Sequence, residues 1–271
     1  MKRYLKKIYQ YYRPVWNWRI FSWKVRSKGC VLLTSAGDFI DPIFVSGCQR
    51  SGTTLLTRLI KESPEINDIQ YTKDDELDAG YILAGYKSVG VAGRCCFQTT
   101  YLNECYGEYL GLNNAFKLIW VIRNPFSVIY SMAYNWSRFS LNELFLACGY
   151  REACAAGYKG GPLYLLARLS AVDKACFSYR GKLNQLFELS EQLNECRLLV
   201  IDYDELIRYR GQVLRSIFGF VNVEYDEKYA SRIDAAPSRK AEKLSQAEKE
   251  KVRHVCADLY AKAKGKVKPH A

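Results

Sequence analysis

Three short runs of nearly uninterrupted apolar residues interrupt an otherwise mixed chain: Ile43–Ser46, Lys117–Ile122 and Arg197–Asp202. None alternates apolar with polar, so each predicts a strand covered on both faces rather than one with a solvated side. Between and after these runs the apolar spacing widens to the helical period. It predicts helices over Thr53–Glu62, from Pro125 to about Trp136, over Pro162–Leu193 and over Tyr203–Phe218. Pro64 ends the first of these, and Pro125 opens the second. The last segment, Ala241–Ala263, is rich in Lys, Glu and Ala and reads as an amphipathic helix. Strands that alternate with helices predict a parallel sheet with helices on both faces, a three-layer α/β/α fold.

The pattern changes character at Gly37–Pro42. Before it the chain is basic and aromatic, beginning MKRYLKKIYQYYRPVWNWRIFSWKVRSKG. This suggests an N-terminal arm over 1–40 and one α/β domain over 41–271, with no linker that would split the latter. Two readings of the arm stay open: an element packed on the domain with solvated charges, or a peripheral contact with an anionic membrane. No apolar run is long enough to span a bilayer. Nothing in the sequence resembles a signal peptide, and the ten cysteines show neither CxxC nor zinc spacing. The expectation is therefore a cytoplasmic protein with reduced thiols, with membrane association only through the arm.

Charge changes the picture in one respect. The chain carries 40 Lys and Arg against 28 Asp and Glu, a formal net charge of +12. Such an excess attracts nucleotides, acidic glycans, nucleic acid or anionic lipid without choosing among them. Nucleic-acid binding would rest on that charge alone.

The choice comes from the segment after the first predicted strand, Gly47-Cys48-Gln49-Arg50-Ser51-Gly52-Thr53-Thr54. It has Walker A spacing, GxxxxG and two further residues. Glycines let a backbone curl so that successive N–H groups point inward, and the helix that follows adds free N–H groups and the positive end of its dipole. The Walker lysine is replaced by Thr53, which disfavours ordinary ATP or GTP hydrolysis. Arg50 offers a positive charge three residues earlier. A second motif follows at Leu118–Met132, LIWVIRNPFSVIYSM. Arg123 leaves the carboxyl end of a strand, where open α/β sheets bind ligands. Ser131 lies about two turns along the helix that Pro125 opens. An arginine fork and a hydroxyl suit a phosphate.

The two motifs together resemble those of the PAPS-dependent sulfotransferases, a family with a P-loop NTPase-like fold. GCQRSGTTLL is similar to that family's 5′-phosphosulfate loop, in which most members have Pro at the place of Gln49. Arg123 and Ser131 match its 3′-phosphate motif, and CRLLVIDYDELI resembles a later structural segment. The resemblance covers about Pro42 to Ala263. It implies a five-stranded parallel sheet, 3′-phosphoadenosine 5′-phosphosulfate (PAPS) as co-substrate, no required metal, and a hydroxylated carbohydrate, lipid or small metabolite as acceptor. Residues 47–54 with Arg123, Ser131 and, in the segment Pro237-Ser-Arg239-Lys240, Lys240 would hold the nucleotide; Arg50 would stabilise the moving sulfonate. Cytosolic members use a His as base, and no His precedes the second motif here. Other members use a carboxylate after the first helix, where this chain offers Asp74, Asp75 and Glu76, with Glu76 favoured and Glu104 further along. A Lys that many relatives carry near this point is replaced by Gln98, Thr99 or Thr100. The alternatives are a P-loop nucleotide kinase, separable by magnesium dependence, and a non-catalytic nucleotide- or glycan-binding relative.

Overall fold

The structure is a computed structural model and describes residues 18–25, 27, 29, 31–72, 74–90, 93–234 and 240–268. Five strands form one sheet: β1 (Ile43–Gly47), β2 (Ile66–Asn67), β3 (Arg94–Gln98), β4 (Lys117–Ile122) and β5 (Leu198–Asp202). Their order is β2-β3-β1-β4-β5, and every pairing is parallel. The chain moves from β1 toward β3 on one side, then crosses β1 to reach β4 on the other. That reversal leaves a crevice at the carboxyl end of β1, where Gly47 stands opposite Val121.

Side chains alternate across the central strand and so divide the core in two. Ile43 and Val45 face α1 (Thr53–Lys61), while Phe44 faces Tyr109, Phe116 and Trp120. The second face is covered by α3 (Pro125–Tyr134), α7 (Ala171–Gln192) and α11 (Gln246–Lys264). Between these lie α2 (Asp75–Leu83), then α4 (Arg138–Leu144), α5 (Tyr150–Ala155) and α6 (Pro162–Arg168). After β5 come α8 (Tyr203–Arg208), α9 (Arg210–Phe220) and α10 (Lys228–Ser231). This is the three-layer α/β/α arrangement expected.

Three of the five strands were legible as apolar runs. The apolar criterion passes over β2 and β3 because β2 has two residues and β3, Arg-Cys-Cys-Phe-Gln, is bounded by polar ends. The helix expected over Pro162–Leu193 is two helices. Leu169 is extended, and Ser170 starts α7 through a reciprocal capping box with Asp173. The stretch Tyr203–Phe218 likewise breaks at Tyr209. The last helix begins at Gln246 rather than Ala241, because Ser245 and Glu248 form a second capping box.

Of the basic aromatic segment, residues 18–25 are helical. Phe21 and Val25 are buried in the same core as Phe44 and Trp120. Gly80 makes room for this helix: a Cβ there would meet the Phe21 ring at 2.7 Å. Residues 1–17, which carry most of the charges behind the membrane reading, lie outside the described residues. No described helix is long and apolar enough to cross a membrane, and the nine described cysteines are free.

The Ser170 cap also ties two helices, since Asp173 pairs with Lys251 of α11 at 2.5 Å. Replacing Ser170→Ala removes the cap and should cost about 1 kcal/mol. In a chain of this size that lowers the midpoint of thermal unfolding by roughly 2–4 °C, readable by circular dichroism.

Candidate active site

The loop between β1 and α1 is shaped by close packing at both ends. Gly47 adopts φ +139°, and a Cβ there would sit 2.3 Å from the carbonyl oxygen of Val121. Gly52 adopts φ +99°, and its Cβ would fall 2.1 Å from the ring of Tyr203. Only glycine fits either place. Arg50 takes φ +70° without being glycine, a strained conformation of the kind that persists where surrounding structure imposes it. Gly52 caps α1 with no side chain, so the first N–H groups of that helix keep their donors. Ser51 is fully buried, and its hydroxyl has no partner within the protein.

Two arginines and a lysine converge on this loop. Arg50 Nε donates to Ser131 Oγ on α3 at 3.0 Å. Arg123, at the end of β4, donates from Nη1 to the Arg50 carbonyl at 3.4 Å. Its guanidinium stacks on Tyr203, 4.2 Å from the ring centroid, and approaches Asp204 at 3.8 Å. Arg123 Nε is buried with no hydrogen-bond partner. Burial, and then the neighbouring Arg123 charge, lower the proton affinity of Arg50. Lys240 is lowered by burial and next by Arg123, Arg50 and Lys243. Charged groups gathered beside a buried hydroxyl and free helix-start amides are chemically suited to an anion. Arg50, Arg123, Ser131 and Lys240, read separately from the sequence, thus come together. Pro237, Ser238 and Arg239 of the same segment lie outside the described residues.

Gln49, where the resemblance expects Pro, is anchored by its side chain instead. Its Nε2 donates to the Thr100 carbonyl and to Asn103 Oδ1, each at 3.0 Å. Thr53 accepts from Gln98 Nε2 at 3.3 Å. Cys48 is buried under the loop, and burial pushes its thiol far up, which keeps it neutral.

Thr100 links the loop to the acidic stretch. Its hydroxyl donates to Glu76 Oε1, while its carbonyl accepts from Gln49 and, at 3.0 Å, from Lys182 Nζ. Lys182 lies on α7 and is almost wholly buried. A lysine from a distant helix thus supports the carbonyl that Gln49 also uses. Sequence reading passed over it because it sits in a long helical segment without a motif. Tyr203 and Asp204, in the segment taken as structural, were missed for a similar reason.

The three acidic candidates separate. Burial first, then Asp74, push the Glu76 carboxyl up to about 7, against the opposing Thr100 hydrogen bond and Lys182 charge. Asp74 caps α2 at Leu77 N and accepts from Trp18 Nε1 at 3.0 Å; burial raises it as well. Asp75 is directed elsewhere. Its oxygens accept from Arg58 Nε at 2.9 Å and Lys61 Nζ at 3.1 Å. Burial alone would raise Asp75, but Lys61 and Arg58 outweigh it and the carboxyl is lowered. Gln49, Asp74, Glu76 and Glu104 line a cavity of about 790 Å³ beside the loop; Asp75 does not.

No family model matches the chain, and no curated protein matches it in sequence. Among solved structures the chain is similar to the sulfotransferase domain from the curacin biosynthetic pathway. Identity is 16%, over 86% of this chain and 93% of that one, with a TM-score of 0.48. It is similar to mouse sulfotransferase SULT7A1 complexed with PAP, at 13% identity over 87% and 92% of the two chains, TM-score 0.48. It is also similar to sulfotransferase STF9 from Mycobacterium avium, at 12% identity over 93% and 82%, TM-score 0.49.

Asp75 gives a test of stability. A carboxyl lowered on folding contributes stability that is present above the unfolded carboxylate range, near pH 4, and lost as pH falls below it. Asp75→Asn should therefore destabilise the protein at pH 7 by about 1–3 kcal/mol. The gap from the parent should narrow below about pH 4, measured by urea unfolding across pH.

Proposed function

We propose that this protein is a sulfotransferase that moves a sulfuryl group from PAPS to a hydroxyl of an acceptor held in the 790 Å³ cavity. The observation that carries the reading is the adjacency of two unlike sites across Gln49. On one side Arg50, Arg123 and Lys240 surround an amide-rich loop. On the other a cavity is lined by Glu76, a carboxyl titrating near 7. Unpaired Ser51 Oγ and Arg123 Nε supply donors of the kind that nucleotide phosphates would satisfy.

In the proposed reaction the acceptor oxygen attacks sulfur in line. The new oxygen–sulfur bond forms as the bond from sulfur to the 5′-phosphate oxygen breaks, and adenosine 3′,5′-bisphosphate leaves. Glu76 takes the acceptor's proton. A base with a pKa near the working pH combines adequate basicity with an adequate ionised fraction. Arg50 and the loop amides stabilise charge on the sulfonate and the departing phosphate, the largest contribution to be expected in a step with little covalent help. Arg123, held against Tyr203 and Asp204, would grip the 3′-phosphate. Ser131 presents its hydroxyl to Arg50 in the free protein and would serve both groups. Asp74 is engaged as a helix cap and Asp75 as an ion-pair partner, which leaves Glu76 the preferred base.

Two measurements test the proposal. In calorimetric titrations adenosine 3′,5′-bisphosphate should bind more tightly than ATP, and Arg123→Ala should weaken it by roughly 10- to 150-fold, the value of a charged hydrogen bond. Preference for ATP with magnesium would favour the kinase reading. In transfer assays the rate should climb with pH through a limb near 7, because Glu76 must be ionised to accept the proton. Glu76→Gln should abolish that limb and reduce transfer by about 10²–10⁴-fold. A limb that survives in this variant assigns the base elsewhere.

A further inference from the structure

Four non-glycine residues among those described take positive φ, and two of them, Arg50 and Asn103, are joined through Gln49. Arg50 follows Gln49 in the loop after β1. Asn103 Oδ1 accepts from Gln49 Nε2 at 3.0 Å, across 54 positions of sequence. Gln49 and Asn103 both line the cavity, so their contact stands where the loop meets it.

Asn103 interrupts the helical segment Thr100–Gly111 with φ +43° and ψ −116°. The left-handed helical region that Asn visits readily has ψ of about +47°. Positive φ with strongly negative ψ belongs instead to the first central position of a type II′ turn, which is ordinarily glycine. A glycine would hold this backbone without a Cβ clash, but it would offer nothing to Gln49. Such a conformation persists only where its surroundings impose it, and the chain just before Asn103 is well anchored. Thr99 N donates to the Val45 carbonyl at 2.9 Å, the Thr100 carbonyl accepts from Lys182 Nζ at 3.0 Å, and Leu102 is buried. Gln49 in turn needs an external hold, because it has no ring to fix its φ and several side-chain torsions to order. Its amide nitrogen has two acceptors, the Thr100 carbonyl and Asn103 Oδ1, each at 3.0 Å.

We propose that Asn103 is a positioning residue for the phosphate loop: its strained backbone presents Oδ1 to Gln49, and Gln49 so held keeps Arg50 in the conformation that meets the nucleotide. The proposal rests on the sulfotransferase reading for the nucleotide, but not for the pairing of Asn103 with Gln49. Without Asn103 Oδ1 the loop occupies its binding-competent form for a smaller fraction of the time, and apparent affinity falls by that fraction. Strain at Asn103 lowers stability and supports binding, a trade-off common at functional sites.

Asn103→Gly and Asn103→Ala both remove Oδ1 but differ in strain. Alanine is the more stabilising of the two except where φ is positive, so the glycine variant should unfold at the higher temperature by circular dichroism. Calorimetric titration with adenosine 3′,5′-bisphosphate should show roughly 3- to 10-fold weaker binding in either variant, the value of one neutral hydrogen bond. The KM for PAPS should rise more than kcat falls. Gln49→Leu, which loses both hydrogen bonds, should weaken binding at least as much, and adding Asn103→Gly to it should weaken binding no further. A higher midpoint for alanine than for glycine, parental affinity in Asn103→Gly, or additive losses in the double variant overturns the proposal. If the parent protein binds no adenosine 3′,5′-bisphosphate, the sulfotransferase reading falls. The same cycle is then read in thermal midpoints, where non-additivity upholds the pairing of Asn103 with Gln49 and additivity overturns the proposal.

Discussion

Mutual repulsion among Arg50, Arg123 and Lys240 is the constraint around which the carboxyl end of the sheet is arranged. Each is partly or largely withdrawn from water. Burial and the neighbouring cations lower the proton affinities of Arg50 and Lys240. Holding such charges together costs free energy. The fold offers partial relief through Ser131, Asp204 and the face of Tyr203, while leaving Ser51 and Arg123 with donors to spare. A bound polyanion would stabilise the folded state by mass action. Perturbed, convergent groups of this kind are a mark of functional sites more than of structural ion pairs.

The strands make that arrangement possible. β1 and β4 are in register so that Gly47 and Val121 meet, and the Arg123 that follows β4 emerges beside the loop that follows β1. Tyr203, directly after β5, fills the space that Gly52 leaves open. Tyr179 of α7 donates to the Arg123 carbonyl at 2.8 Å and holds the strand end in place. Three consecutive strand ends of the sheet thus define one crevice.

Thr100 connects this crevice to the cavity. Its carbonyl gathers Gln49 and Lys182, and its hydroxyl meets Glu76. The loop after β1 and the Glu76 carboxyl are thus joined through one residue.

The phosphate loop, the arginine after the fourth strand and the parallel α/β class were legible because each depends on local chemistry: glycine spacing, a strand-ending arginine, apolar runs of strand length. The short strands β2 and β3 were not, since their pairing with neighbours supplies what their composition lacks. Ser170 and Ser245 carried readable capping signals that the long helical periodicity obscured. The acidic stretch Asp74-Asp75-Glu76 marks the limit most clearly. Successive positions on a helix point about 100° apart, so the three carboxyls must face different surroundings, but sequence does not say which. Only the packing of α2 against β3 and the segment after it turns Asp75 to Arg58 and Lys61 and Glu76 to Thr100. Lys182 is the same lesson at greater distance, 82 positions from the carbonyl it serves. The sequence by itself determined a loop suited to phosphates and the charge to hold them. The tertiary structure decided which carboxyls face the cavity, which one turns to Arg58 and Lys61, and which distant groups surround them, because burial and neighbouring charge belong to the folded arrangement.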